Sequence, residues 1–161
     1  MQGATYTTEL NHEYFMRQAL HEAEQAASRK EVPIGCVIVY NNEIIARGSN
    51  MLEELQDPTS HAEIITIKKA AQVLGSRRLL DCSLYVTLEP CPMCAGAIIN
   101  ARIPTIVYAA PDPKAGACTT LYSITTDERL NHRCLVISGI LAEESSQLLK
   151  SFFKSLRTKS D

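Results

Sequence analysis

The chain has 161 residues, a formal net charge of -2, a hydrophobic fraction of 45% and a charged fraction of 21%. These proportions fit a single globular domain with a sizeable core, and no apolar run reaches the roughly 18 residues that a membrane-spanning helix needs. The mildly acidic balance argues against a protein that coats nucleic acid nonspecifically and leaves room only for local contact. Met1 to Leu10 is polar and lacks the apolar stretch of a signal peptide, so the expected compartment is cytoplasmic. There the six cysteines stay reduced and read as metal ligands or core thiols.

Taken in chain order, residues 13–28 predict an amphipathic helix, because Phe15, Met16, Ala19, Leu20, Ala23, Ala26 and Ala27 recur at spacings of three and four. Val32-Pro33-Ile34-Gly35 breaks it. Cys36 to Tyr40 is a strand candidate, Asn41-Asn42 a hairpin turn, and Glu43 to Gly48 the returning strand. Ser49 to Thr59 reads as a polar loop. A second helix is expected from about Ser60, ending at Gly75. Ser83 to Leu88 is strand-like. A third helix is expected over Cys91 to Ala101, with prolines at its start, where they are tolerated. Ile103 to Ala109 and Cys134 to Ser138 are further strands, separated by a loop from Ala110 rich in Pro, Asp and Gly. A last helix over about 142–157 carries Leu148, Leu149, Phe152, Phe153 and Leu156 as its stripe. Its Lys150, Lys154 and Arg157, with Lys159 beyond, fit a solvated basic face. The pattern predicts an α/β fold, a three-layer α/β/α sandwich on a mixed five-stranded sheet. It reads as one domain over 1–161, with short polar tails at about 1–10 and 158–161.

Three short features carry chemistry: His61-Ala62-Glu63, Pro90-Cys91 and Cys94. Cys91 and Cys94 are three apart at a predicted helix start, so they share one face. The free N–H groups and positive dipole end there favour thiolates. A thiolate pair suits zinc, and His61 can add an imidazole nitrogen. Three protein ligands leave one tetrahedral position open, the mark of a catalytic rather than a structural site. Glu63 lies close by and is free to move protons between water, a ring nitrogen and a leaving amine. Each part has a plainer reading. Ser60-x-x-Glu63 also fits a capping box, and a lone C-x-x-C also fits a redox pair or half of a structural zinc site. Together, His-x-Glu, a gap of 26 residues and Pro-Cys-x-x-Cys match the zinc deaminase signature.

At these residues the sequence resembles the cytidine deaminase-like superfamily, and within it the bacterial tRNA-specific adenosine deaminases. The likeness runs from about Tyr14 to Arg157. It includes Glu31-Val32-Pro33-Ile34-Gly35, the string from Asp57 to Glu63, and that from Leu84 to Ala97. Further on it includes Asp112-Pro113-Lys114, Leu130-Asn131-His132 and Phe152-Phe153. The resemblance implies a zinc hydrolase, one Zn2+ per chain, that converts adenosine to inosine at the wobble position of a tRNA anticodon. It implies a cytoplasmic homodimer acting on an anticodon stem-loop. It also implies His61, Cys91 and Cys94 as ligands and Glu63 as the catalytic acid-base. Asn50 would hydrogen-bond the target base, and Val32, Pro33, Ala62 and Leu88 would line its pocket. Asp112 and Lys114 would touch neighbouring nucleotides, and Phe153 would pack near the loop. Their plainer readings are turn caps for Asn50 and Asp112 and a core position for Phe153. The alternative activity is deamination of a free base or nucleoside such as guanine, cytosine or cytidine. A zinc-stabilised binding module is the non-enzymatic alternative, disfavoured by Glu63.

Overall fold

A computed structural model of the chain describes residues 3–159, with side chains from residue 11 to 158. The first helix, α1, spans Gly3–Ser28. The hairpin strands follow as β1, Gly35–Tyr40, and β2, Glu43–Ser49. A short α2, Leu52–Leu55, precedes α3, Ala62–Leu74. Next come β3, Cys82–Leu88, α4, Pro92–Ala101, and β4, Thr105–Ala110. A 3-10 turn at Ile124–Thr126 leads to β5, Leu135–Ser138, and the chain closes with α5, Ala142–Lys159.

The strands form one sheet in the order β2-β1-β3-β4-β5. β1 runs antiparallel to both β2 and β3, whereas β3, β4 and β5 are mutually parallel. Asn41 and Asn42 turn the hairpin with φ of 50° and 62°, the left-handed pair that a two-residue turn between right-twisted strands requires. Parallel pairing needs a crossover. α4 provides it between β3 and β4, and the long segment 111–134 provides it between β4 and β5.

Alternation along the strands divides the core between two faces. Val37, Val39, Tyr85, Val107 and Ala109 meet Phe15, Met16 and Ala19 of α1. Cys36, Ile38, Leu84, Val86 and Ile106 meet Ala62 and Ala70 of α3 and Ile98 and Ile99 of α4. Helices therefore cover both sides of a mixed sheet, the expected three-layer sandwich. Each fully buried Ile, Leu or Met, among them Met16, Ile38, Leu84 and Ile106, contributes about 1.5–3 kcal/mol. On the α1 side, Ser145 of α5 donates a buried 2.6 Å hydrogen bond to the Thr87 carbonyl and ties the last helix to β3.

Three expectations need correction. α1 begins at Gly3, well before the expected start at residue 13. The expected span of 13–28 followed the apolar stripe that begins at Phe15. The polar stretch 49–59 contains the single helical turn α2, which buries no residue and so leaves no periodic signal. Helical backbone continues to Lys159, beyond the expected end at Arg157.

Candidate metal centre and active site

Two helix starts converge at the carboxyl end of the parallel strands, where open α/β sheets place their ligands. His61 is the N-cap of α3 and Cys91 the N-cap of α4, and neither uses its side chain as a cap. Pro92 at the first position of α4 gives up no hydrogen bond there. Cys94 lies one turn along and faces back towards Cys91. The outcome is a cluster in which one ligand atom from each of His61, Cys91 and Cys94 lies within 4.8 Å of the others. His61 Nδ1 is 3.6 Å from Cys91 Sγ and 3.5 Å from Cys94 Sγ. A tetrahedral zinc with its usual bond lengths spaces a nitrogen and a sulfur ligand about 3.5 Å apart, so the cluster has the right size.

Its electrostatics point the same way. A hydrogen bond from Cys94, followed by that to His61, pulls the Cys91 thiol down to about 4 against the opposing effect of burial. Cys94 is pushed the other way, because its proton is shared with Cys91 and its site is buried. The pair thus holds one negative charge readily and resists a second. A cation offsets that resistance, and two thiolates with a neutral imidazole are a set that zinc prefers.

Glu63, on the first turn of α3, is only 4% exposed. Burial raises its carboxyl to about 7, partly opposed by a backbone hydrogen bond and the nearby His61. A carboxyl balanced near neutrality can both take and give a proton. The capping-box reading is not realised: Ser60 donates to Asp57 Oδ2 at 2.9 Å. The residue that caps α3 is Asn50, whose Oδ1 accepts the Ala62 N–H at 2.9 Å. That bond commits the carbonyl oxygen of Asn50, fixes the amide plane and leaves the NH2 end to act as a donor. Asn50 N–H in turn donates to the Ile34 carbonyl, and Ile34 N–H to that of Val32, which ties Val32-Pro33 to Asn50. Leu88 ends β3 three residues before Cys91, half-buried.

The remaining candidates lie along the segment after β4. Asp112 Oδ1 accepts the N–H groups of Lys114 and Ala115 at 2.9 and 3.3 Å, so one of its two oxygens is committed to a turn. Phe153 is 42% exposed and is not a core residue. It lines a surface groove of about 550 Å3 with Lys114, Leu149, Lys150, Leu156 and Arg157. Lys114 and Phe153, which are far apart in sequence, therefore share one surface, separate from the metal cluster. His132 reaches the Ile103 carbonyl at 2.7 Å and anchors the return into β5, and so its role is structural. Sequence reasoning missed Glu89, which is 2% exposed and accepts hydrogen bonds from Asp112, Cys118, Thr119 and Thr120. Nothing local announces it, since its partners follow 23 to 31 residues later.

Comparisons with known proteins identify the family. Residues 10–157 match the model of the MafB19-like deaminase family. The tRNA-specific adenosine deaminase of Bacillus subtilis is 48% identical over 147 residues, 91% of each chain. The chain belongs to the tRNA-specific adenosine deaminase family. A solved structure from work on A-to-I editing by tRNA:A34 deaminases superposes on this deaminase with a TM-score of 0.82. It has 46% identity and covers 84% of this chain and 99% of that one. The guanine deaminase of B. subtilis shares 45% identity, but over only 62% of this chain and 64% of its own, with a TM-score of 0.60. Among the described residues of the deaminase, no helix is long and apolar enough to cross a membrane.

Proposed function

We propose that this chain hydrolyses adenosine to inosine at the wobble position of a tRNA anticodon, holding one zinc ion through His61, Cys91 and Cys94. The observation that carries the reading is the convergence of those three side chains beside a buried carboxyl poised near neutrality. The substrate follows from the relatives, which match along nearly the whole chain and are named for tRNA.

Hydrolytic deamination adds water to C6 of adenine and releases ammonia. A zinc ion held by the cluster would act as a Lewis acid and bring the pKa of water from 15.7 towards about 7. Glu63 then carries the protons: it accepts one from the attacking water, delivers it to N1 of the ring, and passes the next to the departing amine. Asn50, with its oxygen held by α3, directs its NH2 at an acceptor on the base. Val32, Pro33, Leu88 and the backbone at Ala62 enclose the ring. The base must leave its stack to reach this depth, and an anticodon loop already offers unstacked bases. Lys114 and Phe153 suit the loop around the target, one through phosphate charge and the other through stacking. Asp112 contributes by shaping that turn. The enzyme works in the cytoplasm, where tRNA is available, and as a homodimer. Exposed Leu55, Met93, Leu121 and Tyr122, on segments flanking the site in sequence, are apolar surface for such an interface.

The test is an inosine assay on an anticodon stem-loop alongside free adenosine, guanine, cytosine and cytidine, with metal analysis and sedimentation of the same preparation. Inosine in the stem-loop alone, about one zinc per chain and a dimeric mass are expected. Preference for a free base would replace this reading with the free-base deaminase.

A further inference from the structure

Glu89 is a buried carboxylate that no step of the chemistry uses. It stands at the end of β3, between the strand and Pro90-Cys91. Both of its oxygens are occupied. Oε1 accepts the Asp112 N–H at 3.1 Å and the Thr120 hydroxyl. Oε2 accepts the N–H groups of Cys118, Thr119 and Thr120 at 3.1, 2.9 and 3.0 Å. Successive N–H groups turned to one point form a concave anion site, of the kind that elsewhere holds a phosphate. Here the anion is the protein's own. Burial alone would raise the carboxyl, but the Thr120 hydroxyl and the converging N–H groups outweigh it and hold it below its usual range.

The loop is also held by its own backbone turns, Gly116 N–H to the Asp112 carbonyl and Leu121 N–H to the Gly116 carbonyl, and by burial of Ala117 and Cys118, but Glu89 takes more of its N–H groups than any other side chain. Ala117 N–H donates to the Pro90 carbonyl at 2.8 Å, and the Thr119 hydroxyl meets that of Tyr108 at 2.7 Å. Packing against the carboxylate is so close that a Cβ at Gly116 would lie 2.5 Å from Glu89 Cδ and Oε1. A glycine is required there for the loop to close around the charge. The same loop carries Asp112 and Lys114, and Lys114 lines the surface groove together with Phe153.

We propose that Glu89 is a positioning residue that fixes the conformation of loop 112–120, setting where Lys114 meets the RNA relative to the metal cluster. The proposal rests on the reading that this loop faces the anticodon stem-loop. Glu89 acts through the loop and touches neither base nor metal.

Two variants test it. Glu89→Gln keeps the shape but loses the charge and turns an NH2 towards N–H donors. Gly116→Ala keeps Glu89 and displaces the loop from it. Both are expected to keep zinc and to keep kcat within about threefold, while KM for the stem-loop rises at least about tenfold, the scale of one or two lost charge-assisted hydrogen bonds. Amide exchange at Asp112, Cys118, Thr119 and Thr120 is expected to quicken by a similar factor, with exchange in β1 unchanged. Wild-type exchange in both variants would overturn the clamp. Faster exchange with an unchanged KM would overturn the positioning role, as would loss of zinc or a fall in kcat without a rise in KM. Should the wild-type enzyme prefer a free base, the substrate half of the proposal falls with the RNA reading. The exchange measurement would still decide whether Glu89 holds the loop.

Discussion

The metal cluster and the loop after β4 are two halves of one proposed site, built by opposite means. The cluster hangs on regular structure. His61 and Cys91 each begin a helix, and Cys94 follows Cys91 at a fixed helical step. Their separation is set by how α3 and α4 pack on one face of the sheet. The loop has no such frame. Residues 111–123 contain neither helix nor strand; apart from buried Ala117 and Cys118 they are held by backbone turns and by donors converging on Glu89. A helix-borne group is as well placed as the core that backs it, whereas a loop-borne group is as well placed as its few polar ties. Chemistry that tolerates little error therefore sits on the helices. On the proposed reading, contacts that select the RNA would sit on the loop and on α5.

Breaking the cluster should give the largest effects, and should separate its members. Cys91→Ala removes a ligand and is expected to lose zinc and all measurable deamination, because two remaining ligands cannot hold the ion in competition with water. Glu63→Gln is expected to bind about one zinc and still fall about 10²–10⁴-fold in kcat, the range for a lost proton carrier. Metal analysis beside single-turnover kinetics distinguishes the two. A Glu63→Gln enzyme that turns over at the wild-type rate would leave the proton path without its carrier.

The same contrast decides what could be read from sequence. The clustering of His61, Cys91 and Cys94 was legible because helix periodicity fixes the spacing of Cys91 and Cys94 and because the flanking strings carry a family pattern. The sheet was legible from short β-branched runs and from Asn41-Asn42. What escaped was held by distant partners. Asn50 gave no sign that it caps α3, since its acceptor role is defined by Ala62, twelve residues later. Glu89 looked like part of a motif and is the anion at the centre of a loop. Phe153 sat in an apolar stripe that suggested the core. Yet α5 packs against β3 and β4 through other residues and leaves that ring exposed. Periodicity identifies an apolar face but does not say whether protein or substrate covers it.

Effects on the loop side should be smaller and should fall on binding. Phe153→Ala is expected to raise KM for the stem-loop by about tenfold, as for one lost stacking contact of about 1–3 kcal/mol. Lys114→Ala is expected to lower the steepness of the salt dependence by about one phosphate contact. In both, zinc content and single-turnover rate at saturating RNA stay as in the wild type. A fall in the single-turnover rate would mean that the groove acts on the chemistry and that the two halves are not separable.

The smallest effect is expected far from both halves, at the other end of α3. Gly75 closes that helix with φ of 62°, and a Cβ there would meet nothing within 4 Å. The strain of Gly75→Ala is then purely that of a left-handed backbone carrying a side chain, about 1 kcal/mol. For a domain of this size that corresponds to a fall in Tm of roughly 2–4 °C. Because His61 and Glu63 lie at the opposite end of α3, turnover should not change. Loss of activity in a variant that stays folded would show that α3 transmits fraying at its C-terminus to its N-terminus. The cluster would then depend on the whole helix and not on its first turn.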